Sequence, residues 1–469
     1  MPRIIVLGGG VCGLAASILL ARDGHEVTVL ERDPAPVPDT LHDAWSAWER
    51  GGVAQFHQPH FLQSAGRAVL DEELPDVRDA LTAAGATTFD ALTIMPPTIT
   101  DRAPRPGDER HPTVTARRPT LEWVFARAAE AEPGVDVRRG VAVEALETAV
   151  HDGTPHVTGV RTVFGETVAG DLVVDAMGRR SQLPRLLAEA GAGPVHEEAE
   201  DSGFIYYTRY FRARDGGAPP GYRAAPLTPM PSFSVLTLPG DNDTWSVTLY
   251  IGSGDRALKG LRHERAWEAV LAACPRHAHW ADGEPLTGVR AMGGIVDRRR
   301  RMVVDGRPVA TGVVALADAW ACTNPSLGRG VTFGLLHARR LRDVARYHLE
   351  HPPETVEVWD AATETELTPW IRATIAEDRA RRRALEADRT GAAPPPPPDE
   401  AAAVLAALPL AGALDPDLFR AFLEIRSCLD LPEEVVARPG LAERVLEIAG
   451  TAGPRPRMGP DRAEVLALL

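Results

Sequence analysis

The sequence predicts an α/β fold: a split Rossmann-like layer, an inserted antiparallel sheet and a helical C-terminal region. Three observations carry that expectation. A strand, a glycine-rich turn, a helix and a second strand follow one another within residues 3–31. Short apolar runs, the mark of strands buried on both faces, return at 171–175 and 313–316. Between about 200 and 251 the texture changes to alternating, aromatic-rich strands.

Taken in order, Arg3-Ile4-Ile5-Val6-Leu7 reads as a buried strand, Leu14 to about Arg22 as a helix, and Glu26 to Leu30 as the next strand, closed by Glu31. Residues 33–118 are irregular, with helical periodicity near 61–84. Thr120 to Glu132 reads as a helix, followed by strands near 135–138, 141–148 and 157–163. Phe204 to Phe211 and Trp245 to Ile251 alternate as half-buried strands do. A long helix is expected from about Arg329 to Leu349. Beyond it the chain reads as helical, broken by the prolines 394–398. Residues 401–414 hold Pro409 and Gly412 and read as a buried helix and its turn. The expected division is a discontinuous cofactor domain (1–85, 113–182 and 295–350), a substrate domain (86–112 and 183–294), and a C-terminal region (351–469) with a proline-rich linker at 391–398.

Composition is that of a globular chain, with 44% hydrophobic and 25% charged residues. The net charge of −14 makes nucleic acid and anionic membrane poor partners. No apolar stretch is long enough to span a bilayer and no secretory signal is read, so a cytoplasmic location is expected. Cys12, Cys274, Cys322 and Cys428 are too scattered for a metal site or a disulfide framework, and no metal is expected. Cys12 and Cys322 read as packing residues. The run Arg298 to Arg301 reads as a solvated strand face or loop, with docking of a nicotinamide phosphate as the weaker reading.

Gly8-Gly9-Gly10-Val11-Cys12-Gly13 satisfies GxGxxG, and its setting between strand and helix gives it meaning. Gly8 permits the tight turn, Gly10 lets backbone approach a pyrophosphate, and Gly13 lets helix and strand pack closely. The helix N-terminus offers free N–H groups to the phosphates. Glu31, 18 residues past Gly13, is placed to accept a ribose 2′-hydroxyl. This unit fits NAD and FAD alike. What separates them lies about 300 residues on. A strand, 313–316, leads into Asp318, and Gly328-Arg329-Gly330 opens a helix. Such a carboxylate can bind a ribityl hydroxyl, and such a turn can aim N–H groups at the flavin N1–C2=O edge. Asp175, at the end of the 171–175 strand, reads either as a turn carboxylate or as a cofactor contact.

Over about residues 1–350 these features resemble the FAD-dependent monooxygenases of the p-hydroxybenzoate hydroxylase fold, and within them the bacterial polyether-type epoxidases. The resemblance implies an ADP half held by Gly8, Gly10, Gly13 and Glu31, a cofactor contact from Arg118, and a flavin site at Asp318 and the turn Pro325-Ser326-Leu327-Gly328-Arg329-Gly330. It implies FAD, with NADPH or NADH as a transient electron donor, since no second GxGxxG is present. Two departures stand out. Alanine precedes Asp318 where the family has glycine, tolerable if that residue needs no positive φ. In Gln55-Phe56-His57-Gln58-Pro59-His60 only Gln55 and His60 keep the places of the epoxidase segment.

The implied activity is hydroxylation or epoxidation of a small organic, secondary-metabolite substrate through a flavin C4a-hydroperoxide. A flavin oxidase, dehydrogenase or reductase is the alternative. A non-catalytic flavin- or partner-binding protein is a third reading, as the C-terminal region could serve a homodimer, a carrier protein or a separate reductase. A halogenase would need a lysine near the substrate, and Lys259 is the only lysine. Alternation sends Tyr206 and Tyr210 to one face of their strand and Tyr207 and Arg209 to the other, without saying which meets the flavin. The candidate catalytic residues are His60, Arg209 and Tyr207, with His57 beside them.

Overall fold

The computed structural model describes residues 1–151, 153–393, 395–453 and 457–469. Its central sheet is parallel and five-stranded: β1 (Arg3–Leu7), β2 (Glu26–Glu31), β3 (Val135–Arg139), β4 (Leu172–Asp175) and β5 (Val313–Ala315), in the order β5-β4-β1-β2-β3. The pleat explains the unbroken apolar run of β1. Ile4 and Val6 face one side, packed on helices α1 (Val11–Arg22), α2 (Arg118–Ala131) and α3 (Gly330–His348). Ile5 and Leu7 face the other, with Val173, Val313 and the helix Leu183–Glu189. Burying each such side chain contributes about 1.5–3 kcal/mol. That short helix belongs to the core of the parallel sheet, so the expected boundary at residue 183 does not describe it. The helical stretch expected at 61–84 is two helices, Ser64–Glu73 and Pro75–Ala83, divided where proline opens the second.

The inserted sheet is antiparallel. Strands Leu227–Pro229, Ser234–Pro239, Thr244–Gly252 and Phe204–Arg212 lie side by side, with Glu284–Pro285 and Arg290–Met292 on the far edge of the last. One face is covered by the helix Glu264–Ala272, whose Trp267 is fully buried against Tyr207, Phe211 and Val247.

The arginine run falls on strand Val296–Arg301, and its expected solvated character is corrected. Arg299 and Arg300 are buried and ion-paired, Arg299 with Glu198 and Glu364, Arg300 with Glu197. Their pairing partners come from the neighbouring strand His196–Asp201 and a helix beyond residue 350.

After α3 the chain is helical. Helix α4 (Thr368–Thr390) runs from the parallel sheet to the antiparallel one, and Glu400–Gly412, Pro416–Arg426 and Leu441–Thr451 bundle around Val404, Leu408 and Val445. Of the proline run, Pro394 lies outside the described residues, and Pro395–Pro397 have no regular structure. Among the described residues no helix is long and apolar enough to cross a membrane.

Candidate functional site

The three motif glycines do three different jobs. Gly8 has φ +110°, and a Cβ there would sit 2.6 Å from the Ala176 carbonyl oxygen. A Cβ on Gly13 would lie 2.3 Å from the Gly8 oxygen, so helix and turn touch. A Cβ on Gly10 would meet nothing within 4 Å. That gap opens over the N-terminus of α1, which has no side-chain cap and no acidic residue in its first turn. Free N–H groups and a positive dipole end therefore face an open cradle, the arrangement that holds a pyrophosphate.

Beside the cradle runs a buried chain of charges. The Glu31 carboxylate accepts the Gly9 N–H at 2.8 Å, the Asp33 N–H at 2.8 Å and Arg50 Nη2 at 3.0 Å. Arg50 also donates to the Gly9 oxygen at 3.0 Å and to Glu122 Oε2 at 3.2 Å. Glu122 in turn accepts Arg118 Nε at 2.8 Å on its other oxygen. All four side chains are buried. A carboxylate has about four acceptor positions. Glu31 uses three, leaving one for a hydroxyl.

The second half of the site is built at the end of β5. Helices α1 and α3 approach so closely that a Cβ on Gly334 would collide with Cys12 Sγ, which sets their N-termini side by side. Burial pushes the Cys12 thiol up to about 12, so it packs and does not react. Asp318 makes no hydrogen bond or ion pair among the described residues. Burial raises its pKa, opposed by the guanidinium groups of Arg118 and Arg179. Its Oδ1 would lie 3.9 Å from a Cβ on Gly330, the first residue of α3, whose N-terminus is also uncapped by any side chain. Gly328 turns the chain into that helix at φ +65°. Arg118 thus lies within electrostatic reach of both halves, Glu122 on one side and Asp318 on the other.

The residue before Asp318 corrects an expectation. Ala317 has φ +52°, the left-handed conformation that glycine adopts freely. It is held there by its own N–H, which donates to His337 Nδ1 at 3.1 Å. His337 stacks on Trp359 and is pushed by burial to about 3, which keeps it neutral and able to accept. Ala317→Gly is therefore expected to stabilise the protein by about 1 kcal/mol, relieving the left-handed alanine. A denaturation midpoint unchanged or lowered in that variant would contradict this.

The antiparallel sheet settles which of its faces meets the turn. The Tyr206 hydroxyl donates to Asn324 Oδ1, beside Pro325, and the Tyr210 ring lies 5.1 Å from Trp45. Tyr207 and Arg209 point away. The Tyr207 carbonyl accepts Trp267 Nε1 at 2.9 Å, and Arg209 pairs with Glu268 and covers the Trp267 ring. The helix Glu264–Ala272 covers the face of Tyr207 and Arg209, opposite the one that meets Asn324. His60 stays near the centre. Its Nε2 is enclosed without a partner among the described residues, and burial next to Arg118 pushes the ring down to about 3. His57 is engaged, its Nε2 3.1 Å from the Trp45 oxygen. Asp175 is a turn carboxylate, accepting the Met177 N–H at 3.0 Å and the Ser181 hydroxyl.

Sequence reasoning missed Arg50, Glu122 and the buried pair Arg117–Asp241, closed by Nη2–Oδ2 at 2.7 Å. Glu122 carried a signal, four residues after Arg118 on one helix face. Arg50 carried none, because it sits in an irregular loop.

A family model described as an NAD(P)-binding Rossmann-like domain matches residues 6–38. The chain is similar to Protein Rv3254 of Mycobacterium tuberculosis, 26% identical over 351 residues, which is 72% of each chain. Among solved structures it is similar to PqsL of Pseudomonas aeruginosa, described as a probable FAD-dependent monooxygenase: 17% identity, TM-score 0.59, covering 82% of this chain and 96% of that one. It is also similar to the OxyS anhydrotetracycline hydroxylase of Streptomyces rimosus: 18% identity, TM-score 0.57, covering 92% of this chain and 76% of that one. At these identities the likeness is one of fold: the chain has the α/β architecture of these solved structures, with a Rossmann-like layer, an antiparallel sheet and a helical C-terminal region.

Proposed function

We propose that this protein is an FAD-dependent monooxygenase that inserts one oxygen atom of O₂ into a small organic substrate. One observation carries the reading. Two uncapped helix N-termini lie side by side, one over an open glycine cradle and the other beside the carboxylate of Asp318, which has no partner among the described residues. That pattern suits a long cofactor with phosphates at one end and a polyol joined to a ring that gains negative charge at the other.

Gly10 and the first N–H groups of α1 would hold the pyrophosphate, and Glu31 a ribose hydroxyl. Asp318 would accept a ribityl hydroxyl, and the N–H groups opening α3 at Gly330 would face the flavin's carbonyl edge. Arg118 supplies positive charge between the two. Bound there, FAD supplies the two-electron activation of O₂, and the chain's work is to orient the substrate and exclude water. The sheet face of Tyr206 and Tyr210, with Trp45, forms the wall on the substrate side. NADH or NADPH would dock transiently as the donor. The finer reading is hydroxylation or epoxidation; of the epoxidase segment only Gln55 and His60 are kept, so it does not single out epoxidation. A cytoplasmic location and a homodimer, carrier-protein or reductase partner belong to the same proposal.

Held neutral by burial beside Arg118, His60 is neither an acid nor an effective base at pH 7, and its enclosed Nε2 suits it to a hydrogen bond with substrate or cofactor. His60→Ala is expected to lower turnover by about 10²-fold with bound FAD unchanged. His57→Ala, whose ring is already bonded to Trp45, should lose less. Equal turnover in wild type and His60→Ala would remove His60 from the site.

Labelled O₂ tests the reaction. Product carrying one labelled oxygen, formed as NAD(P)H is consumed, is expected. Oxidised but unlabelled product with stoichiometric hydrogen peroxide would instead identify a flavin oxidase.

A further inference from the structure

Helix α4 grips the turn assigned to the flavin. Three residues at a spacing of four, Trp370, Thr374 and Asp378, share one face of it. Asp378 Oδ1 accepts Asn324 Nδ2 at 2.9 Å and the Ser326 hydroxyl at 3.3 Å. Thr374 Oγ1 accepts Arg329 Nη1 at 2.8 Å, and the Arg329 guanidinium covers the Trp370 ring. Asn324 is the junction of the cluster. Its N–H donates to Asp297 at 2.7 Å, and its side-chain oxygen accepts the Tyr206 hydroxyl from the antiparallel sheet. Asn324, Tyr206, Asp297, Asp378 and Arg329 are all buried. Farther along, Arg381 of α4 donates to the Met230 oxygen at 2.7 Å and to Ser234 Oγ at 3.1 Å, so the same helix is pinned to that sheet.

We propose that Asp378 is a positioning residue for the flavin turn, acting through Asn324 to hold residues 324–330 in register with Tyr206. The inference rests on the FAD reading above. It makes the C-terminal region part of the cofactor site, although α4 begins 38 residues after Gly330. The geometry explains why a carboxyl group is buried here: it ties two side chains of one turn to one helix. Its Oδ2 has no partner among the described residues. Burial, with Asp297 and Glu377 nearby, lifts the group to about 7, so asparagine is a fair mimic of it near neutral pH.

The test is a titration of apoprotein with FAD, read by flavin fluorescence and by the visible flavin spectrum. Asp378→Ala is expected to weaken FAD binding about tenfold or more and to shift the flavin bands, because the turn loses its buried hydrogen bonds. Asp378→Asn, which keeps an acceptor for Asn324 and Ser326, should return affinity to within about threefold of wild type and restore the spectrum. A merely structural role would lower the thermal midpoint without moving the spectrum of bound flavin. If Asp378→Ala does not fold, Asn324→Ala severs the same link from the turn side and must reproduce the loss. Wild-type affinity and spectrum in the alanine variant that folds would overturn the proposal. Failure of the wild type to bind FAD would sink the cofactor reading along with it.

Discussion

Gly10→Val is expected to abolish FAD binding while leaving the fold intact. Gly10 has φ −85° and ψ 170°, extended backbone that valine adopts without strain. Its Cβ would enter open space, so no protein atom has to move. As the residue capping α1 it makes no side-chain bond, and losing glycine there costs about 1 kcal/mol at most. The same space is where a pyrophosphate must approach the N–H groups of α1. Two extra methyl groups would push it off the helix end, and affinity should fall about 10²-fold or more, equivalent to about 2.7 kcal/mol. Gly13→Ala should behave in the opposite way. Its Cβ would press into the Gly8 oxygen, so the apoprotein itself should lose about 1–3 kcal/mol or more. A thermal melt and a desalting column separate the two variants. Full flavin retention by Gly10→Val would mean that the turn holds no dinucleotide.

Glu122→Ala is expected to destabilise the apoprotein by about 3–5 kcal/mol, because it leaves a buried guanidinium without its carboxylate. Glu122 is fully buried and serves Arg50 with one oxygen and Arg118 with the other. Arg50 would keep Glu31 and Asp33, whereas Glu122 is the ion-pair partner of Arg118. Glu122→Gln should lose less, since an amide oxygen still accepts one hydrogen bond. Saturating FAD should reduce the deficit of the alanine variant, because phosphate charge then replaces the missing carboxylate near Arg118. Denaturation midpoints with and without FAD check both points. A deficit unaffected by FAD would place Arg118 outside the cofactor's reach.

The sequence was legible where a feature is local. The β1-turn-α1-β2 unit shows because burial on both faces of β1 demands an unbroken apolar run, and because Gly8, Gly10 and Gly13 are each required by geometry. Asp318 and Gly330 show for the same reason, a strand end followed by a helix start. Reading stopped where tertiary contacts decide. Alternation put Tyr206 and Tyr207 on opposite faces but could not choose between them; the helix Glu264–Ala272, with Trp267, makes that choice by covering Tyr207 and Arg209. Arg50 lies in a stretch without periodicity, and its role exists only because Glu31, Glu122 and the Gly9 carbonyl surround it. Asp378 sits 54 residues beyond Asn324 on a helix with no motif of its own. The left-handed Ala317 was hidden for another reason: alanine there contradicts the local rule, and a distant His337 holds the conformation.

The most direct measurement is the visible spectrum of the protein after incubation with FAD and removal of unbound cofactor. Flavin absorbance at one FAD per chain is expected, lost in Gly10→Val and weakened in Asp318→Ala by the roughly 1.5–3 kcal/mol of a charged hydrogen bond. A folded wild-type protein that leaves the column without flavin would contradict it.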